Sequence, residues 1–164
     1  MSSFLKNWLP VLIWCALIFG ASGDKSSGQH SSRIIAPIVR FFAPHISKEA
    51  LDRIVHYARK TAHITEYAIL ALVLWRALDQ SRRRDREVGR GVPAEPLAPA
   101  ASPWSWRIAA LALGIATLYA ATDEFHQSFI PSRTAEVRDV FIDAFGAGLG
   151  LFAFWIVGRW RKHW

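Results

Sequence analysis

Apolar residues along this chain gather into blocks of near-membrane length, with charged and polar residues confined to the junctions. The first block, Trp8 to Ala21, has Lys6 as the only charge before it and gives way to Ser22-Gly23-Asp24-Lys25; with Phe4 and Leu5 included it is counted as residues 4–22. About 20 apolar residues are needed to cross a bilayer as a helix, so this block is a membrane-span candidate. A cleaved signal peptide is the competing reading, since Ala21-Ser22-Gly23 is a run of small residues. Pro10 falls in the first turns, where a helix tolerates it.

Residues 24–32 read as a polar loop, and Arg33 to Pro44 as an apolar piece too short to span and interrupted by Pro37. With Arg33 and Arg40 at headgroup level, it is expected to lie in the membrane interface. Ser47 is placed to cap a helix that runs through Leu51, Ile54, Val55 and Ala58 into a second span, residues 61–78. Arg76 and the run Arg82-Arg83-Arg84-Asp85-Arg86 are expected to end it, leaving a flexible Pro/Ala-rich linker over 79–103. A third span, 104–122, opens on Trp104, Trp106 and Arg107 and leads straight into Asp123-Glu124-Phe125-His126-Gln127. A polar hinge with Pro131 and Arg133 separates it from a fourth span, 140–157. The expected fold is one all-α integral membrane domain over 1–164: a four-helix transmembrane bundle with an interfacial segment after the first span.

Composition agrees with that pattern and adds a sidedness. The chain is 52% hydrophobic yet 20% charged, with net charge +7. In a soluble protein such a balance raises nucleic-acid binding. Here the basic residues sit at block ends and no nucleic-acid recognition motif is present, so nucleic acid is not an expected partner. Lys and Arg totals on the two sides are nearly balanced, but those of the first loop are interleaved with acids. The dense Arg82–Arg86 run decides, and both termini are expected in the cytoplasm. Cys15 is the only cysteine and lies inside the first block, which excludes an internal disulfide.

Charged residues inside spans are costly and by default mark a site or a buried pair. In this topology they collect at one depth, the outer ends of spans two, three and four. Lys60, His63 and Tyr67 share a helical face with Glu66 beside them, and Asp123, Glu124, His126 and Gln127 close the third span. Arg133 and Arg138 occupy the return, and Asp139 and Asp143 open the fourth span just before Gly146 and Gly150. The glycine pair, Gly-x-x-x-Gly, is expected to serve close helix packing. Each polar residue alone has a structural reading as an interhelical tie; together they point to a ligand pocket. Arg133 and Arg138 suit a phosphate, and Glu124 or His63 suits general acid–base work. The His and Glu spacings match no strong metal signature, so neither metal nor cofactor is expected.

Read in order, these residues resemble the VanZ-like family: Lys60-x-x-His63-x-x-Glu66-Tyr67, then Asp123-Glu124-Phe125-His126-Gln127 through Pro131 and Arg133, then Arg138-Asp139-Val140-x-x-Asp143-x-x-Gly146 to Gly150. Ser132 stands where the family often has Gly, and Asp143 where it often has Asn, which adds a charge to the pocket. The family is named for a protein that confers low-level resistance to the glycopeptide teicoplanin. The resemblance implies a multi-pass protein of the bacterial inner membrane. Three functional classes follow: an envelope protein whose outward pocket engages a membrane lipid headgroup, a lipid-linked cell-wall precursor or a glycopeptide; a membrane enzyme acting on a phospholipid or polyprenyl phosphate; or a structural partner protein without a ligand.

Overall fold

The computed structural model describes residues 3–23, 27–89, 104–129 and 136–161. Among them are five α-helices and no strand: α1 (Ser3–Gly23), α2 (Ser27–Phe42), α3 (Lys48–Gly89), α4 (Trp106–Gln127) and α5 (Val137–Trp160). Three stretches, Phe4–Ser22, Trp106–Gln127 and Val137–Trp160, are long and apolar enough to cross a membrane.

Their surface identifies the solvent. Leu12 and Leu17 on α1, Leu111 and Leu118 on α4, and Phe141, Phe145 and Phe152 on α5 are all exposed, Leu118 and Phe141 by 70% each. Inside, the order is inverted. Asp123, Glu124, Gln127 and Asp143 are buried, and so is the alanine stripe Ala112, Ala116 and Ala120 of α4. An apolar shell around a small-residue and polar interior is stable only where the surrounding medium is hydrocarbon.

α3 is the organising helix, packed against α1, α2, α4 and α5. Ser47 opens it as expected, its Oγ accepting a hydrogen bond from the Ala50 amide at 3.2 Å. Its 42 residues make it about 63 Å long, roughly twice the hydrocarbon thickness of a bilayer. The segment 61–78 carries His63, Glu66 and Arg76, and α3 is accordingly not among the three helices that qualify on length and hydropathy. A helix wrapped by its neighbours has no need of an apolar face all round: Tyr67, Leu70, Ala71 and Ala77 are completely buried among them.

Two expectations need correction. The loop proposed for 24–32 is helical from Ser27 onward, where α2 begins, and Pro37 is accommodated inside that helix. Ile34, Ile38 and Phe41 recur at helical spacing farther along α2, and a polar run by itself does not end a helix. Likewise α3 does not stop at Arg82; residues 79–89 of the proposed linker are helix. Arginine is a good helix former, and Asp79 accepts from Arg83 Nε at 2.9 Å one turn on. A charge run limits how far a helix can enter a membrane without limiting the helix. The rest of that linker, 90–103, lies outside the described residues.

Close approach of α5 to α3 depends on glycine. A Cβ built on Gly146 would sit 2.6 Å from the Ile64 carbonyl oxygen, and one on Gly150 would sit 2.9 Å from Ala68 Cα. α1 is tied on by polar tips of aromatic residues. Trp14 Nε1 donates to the Glu66 carbonyl at 2.9 Å, Trp8 Nε1 to Ser81 Oγ at 3.3 Å, and Tyr119 hydroxyl of α4 to the Cys15 carbonyl at 2.6 Å.

These ties give the bundle two unlike ends. One gathers Ser22, Asp123, Lys60, His63, Asp139 and Asp143. The other holds Trp8, Ser81 and Arg82, whose guanidinium donates to Ser105 Oγ at 2.9 Å. Near that end Trp75 stacks on Trp104 at 5.4 Å, and Trp104 meets Trp106 edge-on at 5.5 Å.

Candidate functional site

At the first of these ends, three helix segments converge. α3 supplies a face of residues at i, i+3, i+4 and i+7, namely His56, Arg59, Lys60 and His63. The last turn of α4 supplies Glu124 and Gln127, and the first turns of α5 supply Asp139 and Asp143. Between them opens a cleft of about 480 Å³, within the range of small-molecule sites.

Of the residues singled out in the sequence, Lys60, His63, Glu124, Gln127, Arg138, Asp139 and Asp143 line this cleft. Lys60 Nζ donates to Asp139 Oδ1, an ion pair that joins α3 to α5 with both side chains partly exposed. His63 Nδ1 lies 3.7 Å from Glu66 Oε2 and 3.9 Å from Asp143 Oδ1, near both carboxylates and beyond hydrogen-bond reach of either. Glu124 is held by the start of α5, its Oε1 accepting the backbone N–H of Glu136 at 2.6 Å. Among the described residues, no group of three His, Cys, Asp or Glu side chains is arranged to hold a metal ion.

Four other candidates turn away from the cleft. Asp123 Oδ2 accepts from Ser22 Oγ at 2.7 Å and from Gln127 Nε2 at 3.0 Å, so this carboxylate ties α4 to α1. His126 stacks on Phe19 of α1, ring centroids 4.3 Å apart, with its buried Nδ1 unpartnered among the described residues. Tyr67 is enclosed, its ring 6.4 Å from that of Tyr119, and its hydroxyl has no partner among the described residues. Glu66 flanks His63 without reaching the cleft. Arg133 lies outside the described residues, as do Pro131 and Ser132.

The sequence reading passed over His56, Tyr57, Arg59, Glu136 and Ile142, which also line the cleft. His56 and Arg59 were legible in principle, because they continue the helical spacing of Lys60 and His63 by one turn. Glu136 and Ile142 carried no such signal.

A profile described as VanZ/LLP1 matches residues 7–158. The chain belongs to the VanZ/LLP1 family. No curated protein and no solved structure matches it. The VanZ/LLP1 match begins in α1 and ends in α5, so it takes in all five helices and every wall of the cleft.

Proposed function

We propose that this VanZ/LLP1 protein is a multi-pass protein of the bacterial inner membrane whose cleft engages a lipid headgroup from the outer face. A lipid-linked cell-wall intermediate and a glycopeptide are the alternative occupants. The observation that carries the reading is position: a charge-lined cleft opens at one end of a bundle whose flanks are apolar, the depth at which headgroups lie. In this reading α1, α3, α4 and α5 cross as a four-helix bundle, and α2 rests in the interface with Ile34, Ile38, Phe41 and Phe42 exposed toward lipid. Enclosure of α3 by the other crossing helices supports its crossing despite its charges.

Both termini face the cytoplasm, supported by the Arg82–Arg86 run at the end opposite the cleft. Cysteine labelling tests this in a Cys15→Ala background. Glu136→Cys reacts with a membrane-impermeant maleimide on intact cells, and Arg84→Cys reacts only after lysis; the reverse pattern refutes the orientation. Native mass spectrometry tests the headgroup. Wild-type protein retains phospholipid, and Arg59→Gln combined with Arg138→Gln loses it while remaining folded. Equal retention by both would reject the cleft as the binding site.

A second reading, an enzyme acting on a phospholipid or polyprenyl phosphate, is favoured by Glu124. The residue is 8% exposed and lines the cleft, and its carboxylate is oriented by the Glu136 amide, as a general acid–base residue requires. Under it, Glu124→Gln abolishes lipid turnover and preserves binding, and undiminished turnover would reject it.

A further inference from the structure

The cleft is layered by charge. Its floor is acidic: Glu124 and Asp143, 8% and 4% exposed, reach it from α4 and α5. Its rim is predominantly basic, with His56 and Arg59 on α3 and Arg138 on α5, all partly or fully exposed, beside the exposed acid Glu136. Lys60 stands between the layers and is engaged by Asp139. Among the described residues no hydrogen bond reaches the Asp143 carboxylate, and His63 Nδ1 lies 3.9 Å from it. Burying a carboxylate this deeply in its ionised form is costly unless hydrogen bonds or an opposite charge compensate it, and a bound cation would do so.

A ligand that complements this layering leads with a cation and trails an anion. Building on the headgroup reading above, we infer that the cleft recognises a phosphate joined through a short link to a primary ammonium, the chemistry of a phosphoethanolamine headgroup. The ammonium sits between Glu124 and Asp143 and the phosphate meets Arg59 and Arg138. Three N–H donors on a primary ammonium match the acceptor-only carboxylates, whereas a quaternary ammonium offers none. The planar guanidinium forks suit phosphate oxygens at the rim. Phe125, Phe129, Val137 and Phe141, each at least 68% exposed, lie next to cleft residues along α4 and α5 and present an apolar surface to acyl chains. That surface makes a phospholipid, in preference to a free phosphate ester, the source of the headgroup.

The test uses full-length protein equilibrated with vesicles holding equimolar phosphatidylethanolamine, phosphatidylcholine and phosphatidylglycerol, with retained lipid read by native mass spectrometry. The expected result is phosphatidylethanolamine enriched roughly tenfold over phosphatidylcholine, the scale of a charge-assisted hydrogen bond lost. Asp143→Asn removes most of that preference and keeps phospholipid bound; Arg59→Gln lowers retention of all three lipids alike. Phospholipid retained without preference, or a preference that survives Asp143→Asn, overturns the inference and leaves the headgroup reading intact. Failure to retain any phospholipid overturns both. Displacement of the lipid by an equal concentration of phosphoethanolamine overturns the lipid as the source. The wild-type comparison of three headgroups needs no variant, so it decides the matter even if Asp143→Asn does not fold.

Discussion

Replacing Gly146 by alanine should weaken the bundle, and replacing Gly148 two residues away should strengthen it. The added methyl at Gly146 would lie 2.6 Å from the Ile64 oxygen and 2.8 Å from Ile64 Cα, both backbone atoms that no rotamer change can move. Relief to an ordinary contact of about 3.5 Å requires α5 to withdraw by roughly 0.9 Å. α3 is enclosed by its neighbours, so that withdrawal opens the layer around Tyr67 and Leu70. Overpacking of this kind costs about 1–3 kcal/mol, and the better helix propensity of alanine returns up to ~1 kcal/mol, for a net loss of up to about 2 kcal/mol. At Gly148 the nearest atom to the added methyl is Leu113 Cδ1 at 4.0 Å, an ordinary contact. Only the propensity term remains there, and the change should stabilise by up to ~1 kcal/mol. Unfolding in mixed micelles by increasing dodecyl sulfate, followed by the fluorescence of the stacked Trp75 and Trp104, measures both. If Gly146→Ala proved as stable as Gly148→Ala, the close α3–α5 approach would be refuted.

Ser22→Ala should destabilise by about 0.6–1.7 kcal/mol, the range of membrane hydrogen bonds. In a cycle with Asp123→Asn the two effects should be less than additive; strict additivity in the same micelle titration would mean that α1 is not held through this bond. The Lys60–Asp139 pair is partly exposed, so a cycle with Lys60→Met and Asp139→Asn should give a coupling of at most about 1 kcal/mol that fades as salt is raised. A coupling unaffected by salt would place the pair deeper than its exposure implies. An environment-sensitive dye on Ile38→Cys, in a Cys15→Ala background, should emit at blue-shifted wavelengths in vesicles if α2 lays its apolar face into the interface. Water-like emission would refute the interfacial placement.

Much of the candidate cleft was legible in the sequence. Charges inside apolar blocks are expensive, so Lys60, His63, Glu124, Asp139 and Asp143 stood out, and all five line the cleft. What went astray was which neighbour each residue faces. Asp123 and Glu124 are adjacent in sequence, yet about 100° apart around a helix. One consequently meets Ser22 on α1, and the other meets the cleft. His126, three residues beyond Asp123 and on its side of the helix, turns to Phe19 of α1. Tyr67 shares a face with Lys60 but lies two turns farther into the bundle, where it is sealed by packing.

The sequence by itself determined the medium, the helical class and the family. Each follows from local composition and order along the chain: apolar blocks near bilayer length, charges at their junctions, and motif residues at helical spacing. Tertiary structure alone decided that α3 is the central helix, that α5 approaches it through Gly146 and Gly150, and that the buried acids Glu124 and Asp143 meet the outer basic residues Arg59 and Arg138 in one cleft. Those features depend on how helices are rotated about their axes and how deeply they overlap. Packing among distant segments sets both, and a one-dimensional pattern with a period of 3.6 residues leaves them open.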